Sequence, residues 1–332
     1  MSDSYRREAI NLEDHQHVFF FGFMRKKAPR LSLKRAVAFC FLAFTFIGVM
    51  PLCAQQMDPY FTAINTPVPK GSLMLMLLPD YQLAHTGPDY LTYMGMAEYG
   101  ITDRWTAGFM AEGQKIGGLP ATFGGVRFST YFKLFPHDRL LNLTLYGEYE
   151  DVNQAALYKM EISGFGTSDL TIPLDVARRT PAHTFEQRVI VYHDWGQYDA
   201  TFNFISETDL QNYNNDFGYV WGVSRQPAWT GMNGMGGRMK MKTMAAPAAL
   251  SRQRLGYGLE MAGGLGNDSQ FGFYWPREQQ YLGPLFTYAL SPHWTFRLEP
   301  EFGLSAVSDP FVLRMGVTYT ITNFLYRMRH AL

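Results

Sequence analysis

Cysteine is nearly absent from this chain. The two that occur, Cys40 and Cys53, both fall in an N-terminal segment with the features of an export signal. From residue 55 onward there is no thiol, which excludes disulfide frameworks, thiolate metal sites and cysteine nucleophiles. Such a composition suits a chain that crosses an oxidising periplasm unfolded.

Net charge and long apolar runs are lacking as well. The 29 basic and 29 acidic residues cancel, so there is no overall positive field to attract nucleic acid. After residue 54 no stretch holds the roughly 20 apolar residues of a membrane-spanning helix. A mean hydropathy of −0.16 with 16% aromatic residues instead fits apolar residues that alternate with polar ones.

The N-terminus reads as a signal peptide. A basic segment starting at Met24 precedes the apolar stretch 36–50, and the best cleavage point follows Ala54. Leu52 meets the small-residue rule poorly, and it also weakens a lipoprotein alternative through Cys53. We interpret residues 1–23 as an over-long gene start, with Met24 as the true start and a structured extension as the alternative.

The last apolar stretch, 311–322, sets the expected fold. Every second residue from Phe311 to Ile321 is apolar, and the intervening residues are mostly polar or small. This is the pattern of a strand with one oily face, and it is long enough to cross a bilayer when tilted. It also resembles the final-strand signal that the barrel assembly machinery of bacterial outer membranes reads, through Arg314, Gly316, Tyr319 and Ile321. The chain departs from that pattern by continuing past the strand into a tail, 323–332.

The same alternation recurs along the chain between residues 71 and 322. It predicts an all-β, membrane-spanning antiparallel up-and-down barrel of about 12 strands in the bacterial outer membrane, with lipid as its surroundings. Short turns near 102–104, 135–138, 195–197 and 291–293 all fall on the predicted periplasmic side. Residues 55–70 are expected to be a periplasmic lead-in. Two long connections are also predicted, 151–183 on the external side of the membrane and 225–253 on the periplasmic side. The second is either a plug, a periplasmic element or a missed hairpin.

Charged residues of both signs occupy the faces opposite the apolar ones. In a barrel they would line the lumen, either as a selectivity lining for small polar solutes or as mutually paired filling. These candidates are Arg127, Lys133, Glu148, Glu150, Arg188, Asp199, Glu207, Arg254, Glu260, Arg297, Glu299, Glu301 and Arg314.

Catalysis and metal binding have weaker support. The outer-membrane phospholipase family has a His-x-Ser motif, which is absent here, and the pair His193-Asp194 lies at the wrong end for a proteolytic barrel. We therefore expect no enzyme activity and no cofactor. A methionine-rich run offers thioether ligands for Cu(I) as an alternative, through Met232, Met235, Met239, Met241 and Met244.

The hairpin 98–108, Glu-Tyr-Gly-Ile-Thr-Asp-Arg-Trp-Thr-Ala-Gly, resembles the hairpin turns of the outer-membrane family named for the MetA pathway of phenol degradation, whose members are transporter-like. Leu290 to Trp294 repeats the pattern. The resemblance implies a passive channel or transporter component for small solutes, with small aromatic compounds as candidates. The alternatives are a structural or adhesion barrel with a blocked lumen, and a copper-handling barrel. The oligomeric state stays open.

Overall fold

Twelve antiparallel strands form a closed barrel in the computed structural model, which describes residues 59–136, 139–160, 162–166, 172–227 and 251–331. Each strand pairs with its neighbours in sequence, and β1 pairs with β12. The strands are β1 Leu73–Leu83, β2 Tyr90–Thr102, β3 Trp105–Ile116, β4 Thr122–Lys133, β5 Asn142–Asn153, β6 Pro181–Trp195, β7 Tyr198–Asp209, β8 Asn215–Arg225, β9 Leu255–Asn267, β10 Gln280–Ala289, β11 Trp294–Gly303 and β12 Phe311–Ile321. The predicted fold class is confirmed.

Closure runs along the whole length of the first and last strands. The register joins Leu73 to Ile321 at one end and Leu83 to Phe311 at the other. No edge strand is left among the twelve, so the ladders satisfy the backbone groups that lipid would leave without partners. Strand lengths of 10 to 15 residues match what a tilted strand needs to cross a bilayer.

Apolar and polar side chains are distributed in the opposite way to those of a soluble protein. Large apolar side chains are exposed on the outward face, among them Leu77 at 54% and Phe128 at 51%, whereas carboxylates such as Glu260 and Glu299 are fully buried. Exposed Trp105, Trp195 and Tyr198 stand at the short-turn end. An apolar belt with interfacial aromatics around a polar interior is the architecture of bacterial outer-membrane barrels. The protein is an outer-membrane barrel, as the sequence predicted.

Three α-helices lie outside the strands in the described part of the chain: α1 Gln154–Met160, α2 Leu174–Ala177 and α3 Phe324–Ala331. Helices α1 and α2 belong to the long connection between β5 and β6, and α3 forms most of the C-terminal tail. Within the described ranges, none of the helices has both the length and the apolar character needed to cross a membrane.

Residues 59–70, here named the strap, differ from the expected periplasmic lead-in. Tyr60, Ala63 and Val68 are almost completely buried, and their partners are inward-facing residues of the barrel wall. The strap is inside the lumen because its backbone and side chains find hydrogen-bond partners there. Its Pro-bearing, aperiodic sequence shows only that it is not a strand.

Candidate functional site

The strap enters and leaves the lumen at the short-turn end. Tyr60 donates a hydrogen bond to Asp199, which is the second residue of β7 and lies beside the turn that joins β6 to β7. At the other end of the strap, Val68 accepts a hydrogen bond of 3.2 Å from Thr106 at the start of β3. Between these points the strap contacts residues in the middle of the strands. It therefore enters the lumen as a loop from the short-turn end.

A single carboxylate holds the tip of the strap. The backbone N–H groups of Phe61, Thr62 and Ala63 donate to the Glu260 side chain at 3.1, 2.7 and 3.2 Å. Three successive N–H groups that converge on one anion form an arrangement like an anion-binding nest. Because the carboxylate is fully buried, these charge-assisted bonds are stronger than neutral ones would be.

The next residue of the strap pairs with β7. Ile64 donates its N–H to Asn203 Oδ1 at 2.8 Å, and its carbonyl accepts from Asn203 Nδ2 at 3.0 Å and from Thr201 Oγ1 at 2.8 Å. The Asn203 amide thus satisfies both backbone groups of one residue. This leaves no buried backbone group of Ile64 without a partner.

Three arginines complete the strap's polar contacts. Arg297 donates to the carbonyl of Tyr60, Arg188 donates to the carbonyl of Thr62, and Arg314 donates to the Thr62 hydroxyl. These arginines come from β11, β6 and β12, so the strap forms hydrogen bonds with several strands of the barrel. All of these contacts are non-covalent.

Glycines in the wall make room for the strap. A Cβ atom at Gly222 would lie 2.2 Å from the Tyr60 ring, and one at Gly100 would lie 2.1 Å from the Pro69 carbonyl oxygen. At Gly316 a Cβ would lie 3.3 Å from the Phe61 ring. The wall therefore has recesses shaped to the strap, which would serve no purpose in an empty lumen.

The long connection reaches the strap from the outer end. Ile162, which follows α1, belongs to the same buried apolar cluster as Tyr60 and Ala63. Leu285 and Val220 from the wall complete this contact and are fully buried. Segments from both ends of the barrel thus meet inside the lumen.

The structure places the predicted lumen residues on the inner side. All thirteen are buried or partly buried, and Arg254 lies just before β9 rather than within a strand. They do not form one ring. Several instead contact one another or the strap, which is the paired arrangement rather than a continuous selectivity lining.

The largest paired group centres on Arg127. Its guanidinium lies 3.0 Å from Glu112, 3.3 Å from Glu148 and 2.6 Å from Glu150, and all four side chains are nearly inaccessible. A separate pair joins Arg188 to Glu186 at 2.6 Å. One guanidinium thus links carboxylates from β3 and β5.

Two cavities remain beside the strap. The larger, about 140 Å³, lies between the strap residues Phe61 and Ile64 and a wall that includes Met94, Met96 and Met110 with several charged groups. The smaller, about 70 Å³, is lined mainly by the strap and by Met74, Met76 and Met96. With the strap in place, the lumen therefore still has space for small molecules.

The remaining sequence predictions have different outcomes. In the expected assembly signal, Arg314 and Gly316 face the lumen, and Tyr319 and Ile321 are partly exposed. His193 stacks on Trp195 with ring centres 5.5 Å apart. The export segment and the Cu(I) candidates Met232, Met235, Met239, Met241 and Met244 lie outside the described residues, as does most of 225–253.

The strap is the element inside the lumen that sequence reasoning missed. One signal pointed to it: β1 is apolar on both faces, with Met74, Met76 and Leu78 opposite the lipid-facing leucines. A wall that faces only water needs no such inner face. These inward residues line the cavity against the strap.

Comparisons with known proteins give likenesses of fold only. No protein-family model matches the chain, and no curated protein matches it. Among solved structures, the COG4313 outer membrane channel from Pseudomonas putida F1 is 10% identical with a TM-score of 0.47, covering 80% of this chain and 100% of that one. The KdgM porin is 6% identical with a TM-score of 0.44, covering 74% and 98%. The outer membrane phospholipase A from Escherichia coli is 9% identical with a TM-score of 0.36, covering 81% and 95%. At such identities and scores neither substrate nor activity transfers to this chain.

Proposed function

We propose that the protein is a channel for small solutes across the outer membrane, and that the strap controls its lumen. The observation that carries this proposal is the strap itself. It fills the middle of a closed barrel and is held by non-covalent contacts, among them those from Glu260, Asn203 and three arginines. A segment bound in this way can move without breaking the barrel, because its departure costs no strand pairing.

Planar-bilayer conductance tests the proposal. The mature protein, from Gln55 to Leu332, is compared with a variant that lacks residues 59–68 and with an Asp175→Ala control in the exposed outer connection. We expect the deletion to produce larger and more frequent conductance steps than the intact protein, and the control to behave as the intact protein does. If neither the intact protein nor the deletion variant conducts, with folding verified by heat-dependent gel mobility, the channel proposal is wrong.

We propose small aromatic molecules as the solutes, because the larger cavity has about the volume of one such molecule. A volume of about 140 Å³ is close to that of a dry engineered cavity of about 150 Å³ that holds benzene in another protein. Its wall combines Met94, Met96 and Met110 with the rings of Tyr131 and Tyr146, and thioethers make favourable contacts with aromatic rings. The resemblance of hairpin 98–108 to the phenol-degradation family supports the same class.

Uptake into proteoliposomes tests this solute class. We expect phenol or benzoate to enter faster than a sugar of similar mass, and Met96→Lys to reduce the difference by placing a charge in the cavity. The control is Leu140→Lys, which adds the same charge in an exposed turn. Leu75→Lys, on the outward face of β1, is unsuitable because it would disturb the apolar belt that faces lipid. Equal rates for aromatic and sugar solutes would contradict the assignment.

The alternative is a structural barrel with a permanently blocked lumen. The extent of the strap's hydrogen bonding favours it, since every backbone N–H group from Phe61 to Ile64 donates to a side chain of the wall. Conductance from the deletion variant alone, with no condition that opens the intact protein, would support this alternative.

A further inference from the structure

Three carboxylates meet on the lumen wall beneath the strap. Glu260 on β9 and Glu299 and Glu301 on β11 each have an oxygen within 4.8 Å of the others, and all three are essentially inaccessible. This separation is the largest that two oxygens about 2.4 Å from one ion can have, which is the Ca²⁺–oxygen distance. The three side chains can therefore act as ligands of one hard cation with little movement.

Glu299 provides an independent observation. Its side chain is fully buried, and neither carboxylate oxygen has a hydrogen-bond partner in the described structure. A buried carboxylate without hydrogen bonds is unfavourable, so such groups are found paired, protonated or on a metal. Glu299 therefore has two unpartnered oxygens and also lies within ligand distance of the Glu260 and Glu301 carboxylates.

Positive charge from the wall balances only part of the cluster. Arg314 lies 3.0 Å from Glu301 and 3.9 Å from Asp80, which adds a fourth carboxylate to the neighbourhood. In the described residues, no lysine or arginine nitrogen forms an ion pair with Glu260 or Glu299. The strap's N–H groups stabilise Glu260, whose oxygens keep lone pairs for a second ligand.

Gly283 leaves the room that the Glu299 and Glu301 side chains occupy. It is the Cα partner of Glu260 across β9 and β10. A Cβ atom at this position would lie 2.7 Å from Glu299 Oε1 and 2.8 Å from Glu301 Cγ. A side chain of any size at 283 would therefore press on the carboxylates and fill their common side.

We propose that Glu260, Glu299 and Glu301 bind a divalent cation, with Ca²⁺ favoured over Mg²⁺. The oxygen-only ligand set suits both ions, but Mg²⁺ requires shorter and more regular coordination at about 2.0–2.1 Å. Since Glu260 also holds the strap, the ion sits directly beneath the strap's anchoring carboxylate. Binding of the ion does not depend on whether the barrel conducts solutes.

The test titrates Ca²⁺ and Mg²⁺ into the purified, EDTA-treated barrel and follows its urea-induced unfolding midpoint, with Tb³⁺ luminescence as a direct probe of the site. We expect Ca²⁺ to raise the midpoint of the wild-type barrel and Tb³⁺ to be displaced by Ca²⁺. Glu299→Gln should weaken Ca²⁺ binding about tenfold or more. Glu112→Gln, which removes a buried carboxylate on the other side of the lumen, should bind Ca²⁺ as the wild type does.

Gly283→Ala is the second variant, since it keeps every carboxylate and only occupies the space between them. It should also weaken Ca²⁺ binding. A wild-type barrel that shows no response to millimolar Ca²⁺ would overturn the site and would indicate protonated carboxyl groups instead. Equal Ca²⁺ responses in the wild type, Glu299→Gln and Gly283→Ala would likewise overturn it, because the ion would then bind elsewhere on the surface.

Discussion

Individual lumen residues are tied together more closely than their sequence positions suggest. Arg127 illustrates this, because its guanidinium pairs with three carboxylates, at 2.6 to 3.3 Å, from the two strands that flank β4. Such a network stabilises the barrel only while the arginine and all of its carboxylates are present together. Removing its cation leaves buried negative charges that repel each other.

Arg127→Met tests this dependence. We expect the free energy of unfolding to fall by about 3–5 kcal/mol, the usual cost of breaking a buried ion pair by removing one partner. Urea unfolding in lipid vesicles measures the change. The control is Arg179→Ala, whose ion pair with Asp175 is largely exposed and should contribute less than about 1 kcal/mol. Equal effects of the two substitutions would contradict the network.

Gly222 offers a second test at the residue scale. Gly222→Leu should expel Tyr60 from its recess, since a Cβ there would lie 2.2 Å from the ring. Because the mature chain has no cysteine, Ala63→Cys can report on the strap through maleimide labelling. Labelling should be slow in the Gly222 background and at least about tenfold faster with Gly222→Leu.

Gly95→Ala is the matched control for the Gly222 substitution. This glycine faces outward on β2, and the nearest atom to an added Cβ is 3.9 Å away. Labelling of Ala63→Cys should keep its slow rate in this variant. Fast labelling in every background would mean that the strap is not held in the lumen.

At the scale of elements, the barrel and the strap are built by different forces. The strands follow from alternation and are closed by the pairing of β1 with β12. The strap has no regular structure of its own, and polar contacts from six strands hold it, namely β3, β6, β7, β9, β11 and β12. This difference is why the strap can leave while the strands stay paired.

The closure of the barrel predicts a specific crosslink. Leu75 and Tyr319 are Cα partners across β1 and β12, so Leu75→Cys with Tyr319→Cys should form a disulfide under oxidation. The crosslinked protein should migrate differently on denaturing gels until it is reduced. Leu75→Cys with Leu313→Cys should stay uncrosslinked, because Leu313 pairs with Tyr81 instead. Crosslinking of the second pair alone would show a different register.

For the whole molecule, lipid decides which side chains face outward. Phe128 stands in the middle of β4 with 51% of its surface exposed and packs on Phe109 at a ring distance of 5.3 Å. In water such exposure would be unfavourable. In a bilayer it places apolar surface against acyl chains.

Phe128→Lys tests this orientation. We expect it to destabilise the barrel in lipid by about 2–4 kcal/mol, as lysine does near the bilayer midplane. Leu140→Lys is the control, since Leu140 is 79% exposed in the turn between β4 and β5, outside the bilayer, and should change stability by less than about 0.5 kcal/mol. A similar small effect for both would mean that Phe128 does not face lipid.

Prediction from the sequence succeeded where the pattern is periodic and local. The alternation in β12 and the short turns indicated strand number, strand direction and the two ends of the barrel, and the closed sheet agrees. It is less informative for β1, which continues past Pro79 to Leu83 although proline usually interrupts a strand. The inward position of charged residues such as Glu260 and Arg314 followed from the same alternation.

The sequence by itself determined that this chain is an outer-membrane barrel, because lipid requires an apolar outer face and closure of every strand, and both leave a period of two. Only the tertiary structure decided what fills the lumen. The strap's position depends on contacts between residues up to 252 positions apart, such as Tyr60 with Asp199 and Thr62 with Arg314, which leave no local pattern. The meeting of Glu260, Glu299 and Glu301 likewise depends on strand register, which alternation alone does not specify.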